Sequence, residues 1–77
     1  MPKEKLPILE PVISSMINAI GYTYANRHLL IQFQNGDLYL YYHVKSEYYE
    51  NMKNVDVSVG KYFNIQIKDR YNFSVIN

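Results

Sequence analysis

Apolar and polar positions alternate most clearly in the middle of the chain, where two apolar runs flank an Asn-Gly pair. The runs are Leu29–Phe33 and Leu38–Tyr42, and the pair is Asn35-Gly36. Such a pair between alternating apolar runs is the strongest short-range signal for a β-hairpin, because both residues tolerate a positive φ. The pattern therefore predicts a hairpin around which the rest of the chain packs.

Two registers of this hairpin are open, and each buries a different set of side chains. A two-residue turn on Asn35-Gly36 pairs Gln34 with Asp37, whereas a three-residue loop with Gly36 in the left-handed region pairs Phe33 with Asp37. The second register gathers five apolar side chains on one face, as a buried strand face with a period of two requires. They are Leu29, Ile31, Phe33, Tyr39 and Tyr41. We therefore expect the three-residue loop.

The same register leaves a second sheet face that is too apolar for an ordinary wet surface. Its apolar members are Leu30, Leu38, Leu40 and Tyr42. If exposed, they would present on the order of several hundred Å², which is large for a soluble monomer. The N-terminal arm, with Leu6, Ile8 and Leu9, could cover them, or a second copy could pack on them in a two-fold dimer. We favour the dimer.

The segment before the hairpin divides into an arm and a strand. Prolines at three positions of residues 1–11 oppose both a helix and a central strand, which predicts an extended arm. They are Pro2, Pro7 and Pro11. From Val12 to Tyr24 the apolar spacing fits neither a regular helix nor strict alternation. We expect an irregular first strand, bulged near Asn18, with Gly21 permitting close approach of another backbone segment.

Helix signals begin after the hairpin. Ser46 offers a capping hydroxyl, and Glu47 places an acid near the positive end of a helix dipole. Apolar residues then recur at three-residue steps. They are Tyr49, Met52 and Val55. The pattern predicts a short helix that Asp56-Val57 breaks.

A second helix is predicted from Ser58, its candidate N-cap, to about Arg70. Its apolar positions recur at steps of four and are expected to face the sheet. They are Val59, Phe63, Ile67 and Tyr71. Lys61, Asn64 and Lys68 form a separate stripe that is expected to face solvent.

Strands followed by helices define the α+β class. We expect a three-stranded antiparallel β-meander with two C-terminal helices packed on one face. The predicted organisation is an N-terminal arm at 1–11, a single domain at 12–72 and a C-terminal tail at 73–77. A chain of 77 residues supports one small domain.

Composition narrows the classes of function. The chain has no cysteine, so neither disulfides nor thiolate metal sites contribute. Its net charge is +1, from 8 Lys/Arg and 7 Asp/Glu, which is far from the strongly basic balance of an obligate nucleic-acid binder. No apolar run approaches the roughly 18–20 residues that span a membrane, and no signal-peptide pattern is present. We expect a soluble cytoplasmic protein.

Catalytic chemistry has few candidates. His28 and His43 titrate near neutral pH, but they flank strand ends without the spacing of a metal pair. Ser14-Ser15 has no accompanying base or oxyanion hole, so hydroxyls bonded to the backbone at a strand start are expected instead. We therefore predict no enzymatic activity, no metal and no cofactor.

One group of residues could bind a ligand. Ser58, Gly60 and Lys61 stand at the predicted start of the second helix, where backbone N–H groups, the helix dipole and a lysine can together hold a phosphate. The motif is weak and is no Walker loop, because the glycine-rich lead is absent. The alternative interpretation, in which Ser58 caps the helix and Gly60 lets its first turn approach the sheet, stays open.

The nine tyrosines divide between core and surface. Four are expected in the core with their hydroxyls at its edge. They are Tyr39, Tyr41, Tyr49 and Tyr71. Five are expected to be partly exposed, where they could stack on bases or fill a partner's pocket. They are Tyr22, Tyr24, Tyr42, Tyr48 and Tyr62.

Residues that carry a family likeness occur in order along the chain. They are Ser14–Ile17, Ile20–Tyr22, Leu29-x-Ile31-x-Phe33-x-Asn35-Gly36, Tyr39-x-Tyr41, Val44, Tyr49 and Ser58–Phe63 with Ile67 and Tyr71. Over about residues 13–71 this order and spacing resembles the KTSC domain, a module at the C-terminus of some lysyl-tRNA synthetases that also occurs as free-standing small proteins. Lys45 departs from the family pattern, which has a proline there, whereas Lys68 matches a basic position. The resemblance implies nucleic-acid binding.

Two functions follow as hypotheses. The first is a non-catalytic binding module for nucleic acid or a phosphate-bearing nucleotide, held at a basic helix start. Its candidate residues are Ser58, Gly60, Lys61, Tyr62, Lys68 and Arg70. The alternative is a protein-interaction module, either a homodimer or a small inhibitor or adaptor of a partner protein. Its candidate residues are Leu30, Leu38, Leu40 and Tyr42. Phosphate contacts weaken steeply with salt and apolar contacts do not, which separates the two.

Overall fold

Over the residues that the structure describes, the fold is a five-stranded antiparallel sheet with two helices. In chain order the helices come between the fourth and fifth strands, which pair with each other in the sheet. A computed structural model describes residues 6–54 and 58–76. The elements are β1 (Glu10–Pro11), β2 (Ile17–Thr23), β3 (His28–Phe33), β4 (Leu38–Tyr41), α1 (Ser46–Met52), α2 (Val59–Gln66) and β5 (Phe73–Ile76). The strands pair in sequence order, from β1 to β5. The α+β class is therefore confirmed, and the expectation of three strands is wrong.

The two additional strands form the edges of the sheet. β1 pairs with β2 through only two residues and contains Pro11, which an edge strand tolerates because its outer N–H is not needed in a ladder. β5 comes from the segment predicted as a tail and pairs with β4, with Phe73 opposite Tyr41 and Ile76 opposite Leu38. This pairing places a second row of apolar side chains beside the hairpin.

The hairpin has the predicted three-residue loop. Leu29 pairs with Tyr41 and Ile31 with Tyr39. The amide of Phe33 donates to the carbonyl of Asp37 at 2.9 Å, which closes the loop. Gly36 has a φ of +94°, a region that side chains with a Cβ rarely adopt. Both the register and the role of this glycine are confirmed.

The irregularity of the first strand is confirmed as well. The β2–β3 register shifts between Ile17 and Ala19, so that Asn18 forms a bulge. At Gly21 the arm passes so close that a Cβ built there would lie 2.4 Å from the carbonyl oxygen of Ile8. The arm therefore packs over the strand at this glycine, with Pro7 buried next to it.

The helix boundaries differ from the predicted ones. Ser46 is the first residue of α1 and Lys45 its N-cap, so the predicted capping role of Ser46 is wrong. Ser58 is the N-cap of α2 as predicted, although its hydroxyl makes no capping bond. α2 ends at Gln66 rather than near Arg70. The predicted helix positions Val55, Asp56 and Val57 lie outside the described residues.

Both helices pack on one face of the sheet, as predicted. The core that they close has twelve buried members. They are Ile17, Ile20, Tyr22, Leu29, Ile31, Tyr41, Val44, Tyr49, Met52, Val59, Phe63 and Ile67. The period-two alternation of the strands brings their share of these residues to one face. Within the described residues, neither helix is long and apolar enough to cross a membrane.

Candidate functional site

The tip of the β3–β4 hairpin is hydrogen-bonded to the loop that precedes β2. The amide of Gln34 donates to the carbonyl of Met16 at 3.0 Å, and its side-chain amide donates to the carbonyl of Ser14 at 2.9 Å. Within the loop, the Ser14 hydroxyl oxygen accepts hydrogen bonds from the amides of Met16 and Ile17 at 3.1 and 3.2 Å. This confirms the predicted backbone-bonding role of Ser14, and it fixes the loop beside the first turn of α2.

The helix-start cleft lies between this loop and α2. Its volume is about 290 Å³. Its lining residues are Ile13, Ser14, Ser15, Met16, Ser58, Gly60, Lys61 and Asn64. A Cβ at Gly60 would lie 3.3 Å from the Met16 methyl carbon and 3.4 Å from the Ser14 hydroxyl oxygen. Glycine at position 60 therefore lets α2 approach the loop closely. Gly60 has this structural role and also lines the cleft.

A second depression, the aromatic hollow, adjoins the cleft and shares Met16 and Asn64 with it. Its volume is about 220 Å³. Its lining residues are Met16, Phe33, Tyr39, Tyr41, Phe63, Asn64 and Lys68. Phe33 meets Tyr39 and Phe63 edge-on, with ring centroids 5.2 and 5.5 Å apart. These contacts fix the orientations of the rings. Phe33, Tyr39 and Phe63 thus form one side of the hollow, which we call its aromatic wall.

Phe73 on β5 extends this wall toward solvent. Its ring stacks on Tyr39, with centroids 5.1 Å apart and planes inclined by 22°, and it also lies 5.3 Å from the Tyr41 ring. Phe73 nevertheless remains 48% exposed on β5, an edge strand of the sheet. The wall thus presents an open aromatic ring beside the hollow.

The charge of this region is positive. Lys61 in the cleft and Lys68 in the hollow are both exposed, and no acidic side chain lines either depression among the described residues. Asp69 lies near the phenol of Tyr41. Burial above all, with smaller contributions from Tyr39 and Asp69, raises the pKa of Tyr41 to about 12. That phenol therefore stays neutral at physiological pH and adds no negative charge.

The structure brings together some of the predicted ligand-binding residues and separates others. Ser58, Gly60 and Lys61 share the helix-start cleft, and Lys68 joins them through the adjoining hollow. Tyr62 points toward α1 instead, where its hydroxyl accepts a hydrogen bond from Asn51 at 3.0 Å.

Arg70 lies past the other end of α2. Its Nε donates to the carbonyl of Ile65 at 2.8 Å, a bond that ties the side chain to the helix end. Arg70 lines neither the cleft nor the hollow. Arg70 and Tyr62 therefore do not line the cleft that contains Lys61.

Sequence reasoning missed the aromatic contribution to this region. The sequence pattern predicts Phe33 and Tyr39 in the core, but both are only half-buried, and it predicts a tail where Phe73 lies in a strand. A weak signal was present, since Phe73 and Val75 alternate with Ser74 as they do in a strand. Four residues are too few for that alternation to be decisive.

The tyrosine cluster, formed by Tyr22, Tyr24 and Tyr49, occupies the other end of the same sheet face. Tyr22 and Tyr49 stack with centroids 5.1 Å apart, and Tyr24 meets Tyr22 edge-on at 5.0 Å. Each hydroxyl donates to a partner: Tyr22 to the carbonyl of Val44, Tyr24 to Glu50 and, at 3.5 Å, Tyr49 to Glu10. The hydrogen bond to Glu50 raises the pKa of Tyr24 to about 12.

A hollow of about 370 Å³ lies beside this cluster at the start of α1. Arg27 and Lys45 line it, and so does the acidic residue Glu47. It therefore has a mixed charge, unlike the cleft and hollow beside α2.

The second face of the sheet differs from the expected exposed patch. Leu30 and Leu40 are only 2% and 4% exposed, and Leu38 and Tyr42 are half-buried. The Tyr42 hydroxyl donates to the Ser74 hydroxyl at 2.7 Å. The large exposed area on which the interface hypothesis depends is not found on this face, and the hypothesis itself remains a prediction.

Two observations concern groups that could react or bind a metal. Among residues 6–54 and 58–76, no three His, Cys, Asp or Glu side chains gather in a group that could hold a metal ion. The hydroxyl of Ser14 is occupied as an acceptor for two backbone amides.

Fold and site together define a small α+β module with a basic, aromatic cleft along its second helix. The KTSC domain family model matches residues 13–71. A protein of Tsukamurella paurometabola is 36% identical over 63 residues, which cover 82% of this chain and 92% of that protein. The crystal structure of a KTSC domain protein from Yersinia pestis matches with a TM-score of 0.85 at 36% identity, covering 94% of this chain and 100% of that one. The chain belongs to the KTSC domain family, as its sequence indicated.

Proposed function

We propose that this chain is a non-catalytic module that binds nucleic acid along α2. The observation that carries the proposal is the position of Lys61 and Lys68, which stand at two adjoining depressions that no described acidic residue lines. α2 has eight residues and spans about 12 Å, with Lys61 in its first turn and Lys68 two residues past its end, so the two lysines lie toward opposite ends of the helix. That arrangement suits successive phosphates of one strand better than a single phosphate.

The first turn of α2 adds to the attraction for phosphate. Backbone N–H groups of a helix start are unpaired within the helix and lie at the positive end of its dipole. The hydroxyl of Ser58 makes no capping bond, so it does not compete with a ligand for these donors. Ser14 is engaged with its own loop, which leaves Ser15, Ser58 and Asn64 as polar groups of the lining.

The net charge of +1 limits the strength of the interaction. With about two phosphate contacts, the logarithm of the affinity should fall with the logarithm of the salt concentration with a slope near −1.4, because each contact with a single strand contributes about −0.7. Binding should therefore be weak and visible mainly at low ionic strength.

The test is fluorescence anisotropy of a short labelled single-stranded oligonucleotide, measured from low to physiological salt. Replacing both lysines, Lys61→Ala with Lys68→Ala, should weaken binding at low salt and bring the salt slope toward zero. Lys53→Ala is the matched control, because Lys53 is already engaged with Glu50 at 3.8 Å and with the Tyr49 ring at 5.0 Å. An unchanged affinity in the double variant, or no binding by the wild type at low salt, would contradict the proposal.

The protein-interaction alternative has less support. Its candidate residues include Leu30 and Leu40, which are buried and therefore contribute little area to a partner. Of the four, Leu38 and Tyr42 retain partial exposure.

A further inference from the structure

We propose that the ligand is single-stranded and that one of its bases stacks on the exposed ring of Phe73, beside the aromatic hollow. This inference rests on the proposed function, since it names the form of nucleic acid and the contact that recognises it. The phosphates on either side of that base would lie toward Lys68 and Lys61.

The orientation of the Phe73 ring is fixed before any ligand binds. Its ring lies against Tyr39 at 5.1 Å and Tyr41 at 5.3 Å, so one face is fixed by the fold. Because the side chain is still 48% exposed, the remaining surface meets water. An aromatic ring that is already oriented loses little conformational freedom when a base stacks on it, which favours binding.

The chemistry of the surroundings selects a base over an apolar side chain of a protein partner. Lys68 lines the hollow beneath this wall, and the carboxamide of Asn64 lies at the junction of hollow and cleft. The carboxamide can donate to and accept from the edge of a base, while the ammonium group attracts its phosphate. Aromatic rings beside lysines on an open surface are the combination that binds single strands with little sequence preference.

A duplex does not fit this geometry. Its bases are stacked on one another, so only the pairs at its two ends offer a free face to the Phe73 ring. A base of a single strand can turn out of its stack and lie on the ring while the backbone follows α2. The structure therefore predicts a preference for single strands over duplexes of the same sequence.

The experiment uses Phe73→Trp as a reporter, since the chain contains no tryptophan. Adding a single-stranded oligonucleotide should quench the new fluorescence, and anisotropy of a labelled strand should show that affinity is retained. Phe73→Leu keeps an apolar side chain but removes the ring, and it should weaken binding by roughly five- to a hundredfold, the range for loss of one base–aromatic stack. Circular dichroism checks that both variants fold.

Tyr24→Leu is the matched control, because Tyr24 is 57% exposed but belongs to the tyrosine cluster. It should bind as the wild type does. A duplex of the same sequence and a mononucleotide serve as competing ligands, and both should quench Phe73→Trp less than the single strand at equal nucleotide concentration.

The outcomes separate the two proposals. If the single strand binds but Phe73→Leu is unaffected and Phe73→Trp is not quenched, stacking is overturned and binding along the helix stands. If the duplex binds as tightly as the single strand, or a mononucleotide quenches as fully, the single-strand assignment is overturned. If no nucleic acid binds at low salt, both proposals fall.

Discussion

The two ends of the helix-covered sheet face both carry aromatic clusters, yet they contact very different partners. In the tyrosine cluster every hydroxyl donates a hydrogen bond, and Glu10 and Glu50 lie among the acceptors. Around the aromatic hollow the rings pack edge-on or stack, Lys68 is the charged residue of the lining, and Asp69 lies near the Tyr41 phenol. In one cluster every hydroxyl is hydrogen-bonded, although the Tyr24 ring is 57% exposed, and in the other the exposed ring of Phe73 lies beside a hollow that Lys68 lines.

This difference shows why aromatic content alone says little about function. A buried ring with a bonded hydroxyl stabilises the fold, and nearby carboxylates repel phosphate. A ring with a free face and a lysine at its edge can bind a base and its backbone. The comparison therefore predicts that substitutions at the tyrosine cluster change stability, whereas substitutions at the hollow change binding.

The largest stability effect is expected at Gly21, where the arm crosses β2 next to the tyrosine cluster. An added Cβ would lie 2.4 Å from the carbonyl oxygen of Ile8 and 2.9 Å from its carbonyl carbon, both backbone atoms that cannot move without the arm. Gly21→Ala should lower the free energy of unfolding by about 1–3 kcal/mol, as other overpacking changes do. Urea denaturation measures the loss.

Gly60→Ala is the matched substitution at the other end of the comparison. Its added Cβ would meet the flexible end of Met16 at 3.3 Å, and alanine favours a helix over glycine, so the stability should stay within about 1 kcal/mol of wild type. Equal losses in the two variants would show that the arm is not held against Gly21.

A smaller effect is expected from removing single hydroxyls. Tyr22→Phe leaves the buried carbonyl of Val44 without its donor, and this should cost about 1 kcal/mol. Tyr39→Phe should stay within about 0.5 kcal/mol, because the Tyr39 hydroxyl has no hydrogen-bond partner among the described residues. Chemical denaturation of both variants provides the comparison, and a larger loss for Tyr39→Phe would reverse the assigned roles.

Much of the central sheet was predictable because its signals are local. The Asn35-Gly36 pair and the alternation around it determine the hairpin register, and the broken alternation near Asn18 indicates the bulge. Each of these features depends on residues that are neighbours in sequence.

The strands at the sheet edges were not predictable from the same signals. β5 pairs with β4 across more than thirty residues, and its four residues carry too little alternation to distinguish a strand from a tail. β1 contains Pro11. A proline in the sequence argues against a strand, but an edge strand tolerates it. Both strands depend on tertiary pairing rather than on local preference.

The end of α2 was overestimated for a geometric reason. Apolar residues at steps of four drift by about 40° around a helix with each step, since successive residues are about 100° apart. Tyr71, three steps after Val59, would thus lie well off the buried face. The chain instead leaves the helix after Gln66, and Asp69 adopts a φ of +65° in the turn that follows.

The candidate site was predictable only in its charged half. Ser58, Gly60 and Lys61 are adjacent in sequence, so a helix start with a lysine could be proposed directly. In the aromatic half, the spacing predicts Phe33, Tyr39 and Phe63 on the side of the sheet that the helices cover, but as core residues rather than as part of a site. Phe73 joins them only when β5 pairs with β4, and no spacing along the chain indicates that contact.

The most direct test of the account is a titration of the isotope-labelled protein with a short single-stranded oligonucleotide, followed by two-dimensional amide NMR. The account predicts that chemical shifts change along α2 and the hollow, at Tyr39, Lys61, Asn64, Lys68 and Phe73. The tyrosine cluster should keep its shifts and serve as the internal control. Changes concentrated instead at the hollow lined by Arg27 and Lys45, or no changes at low salt, would contradict the central claim.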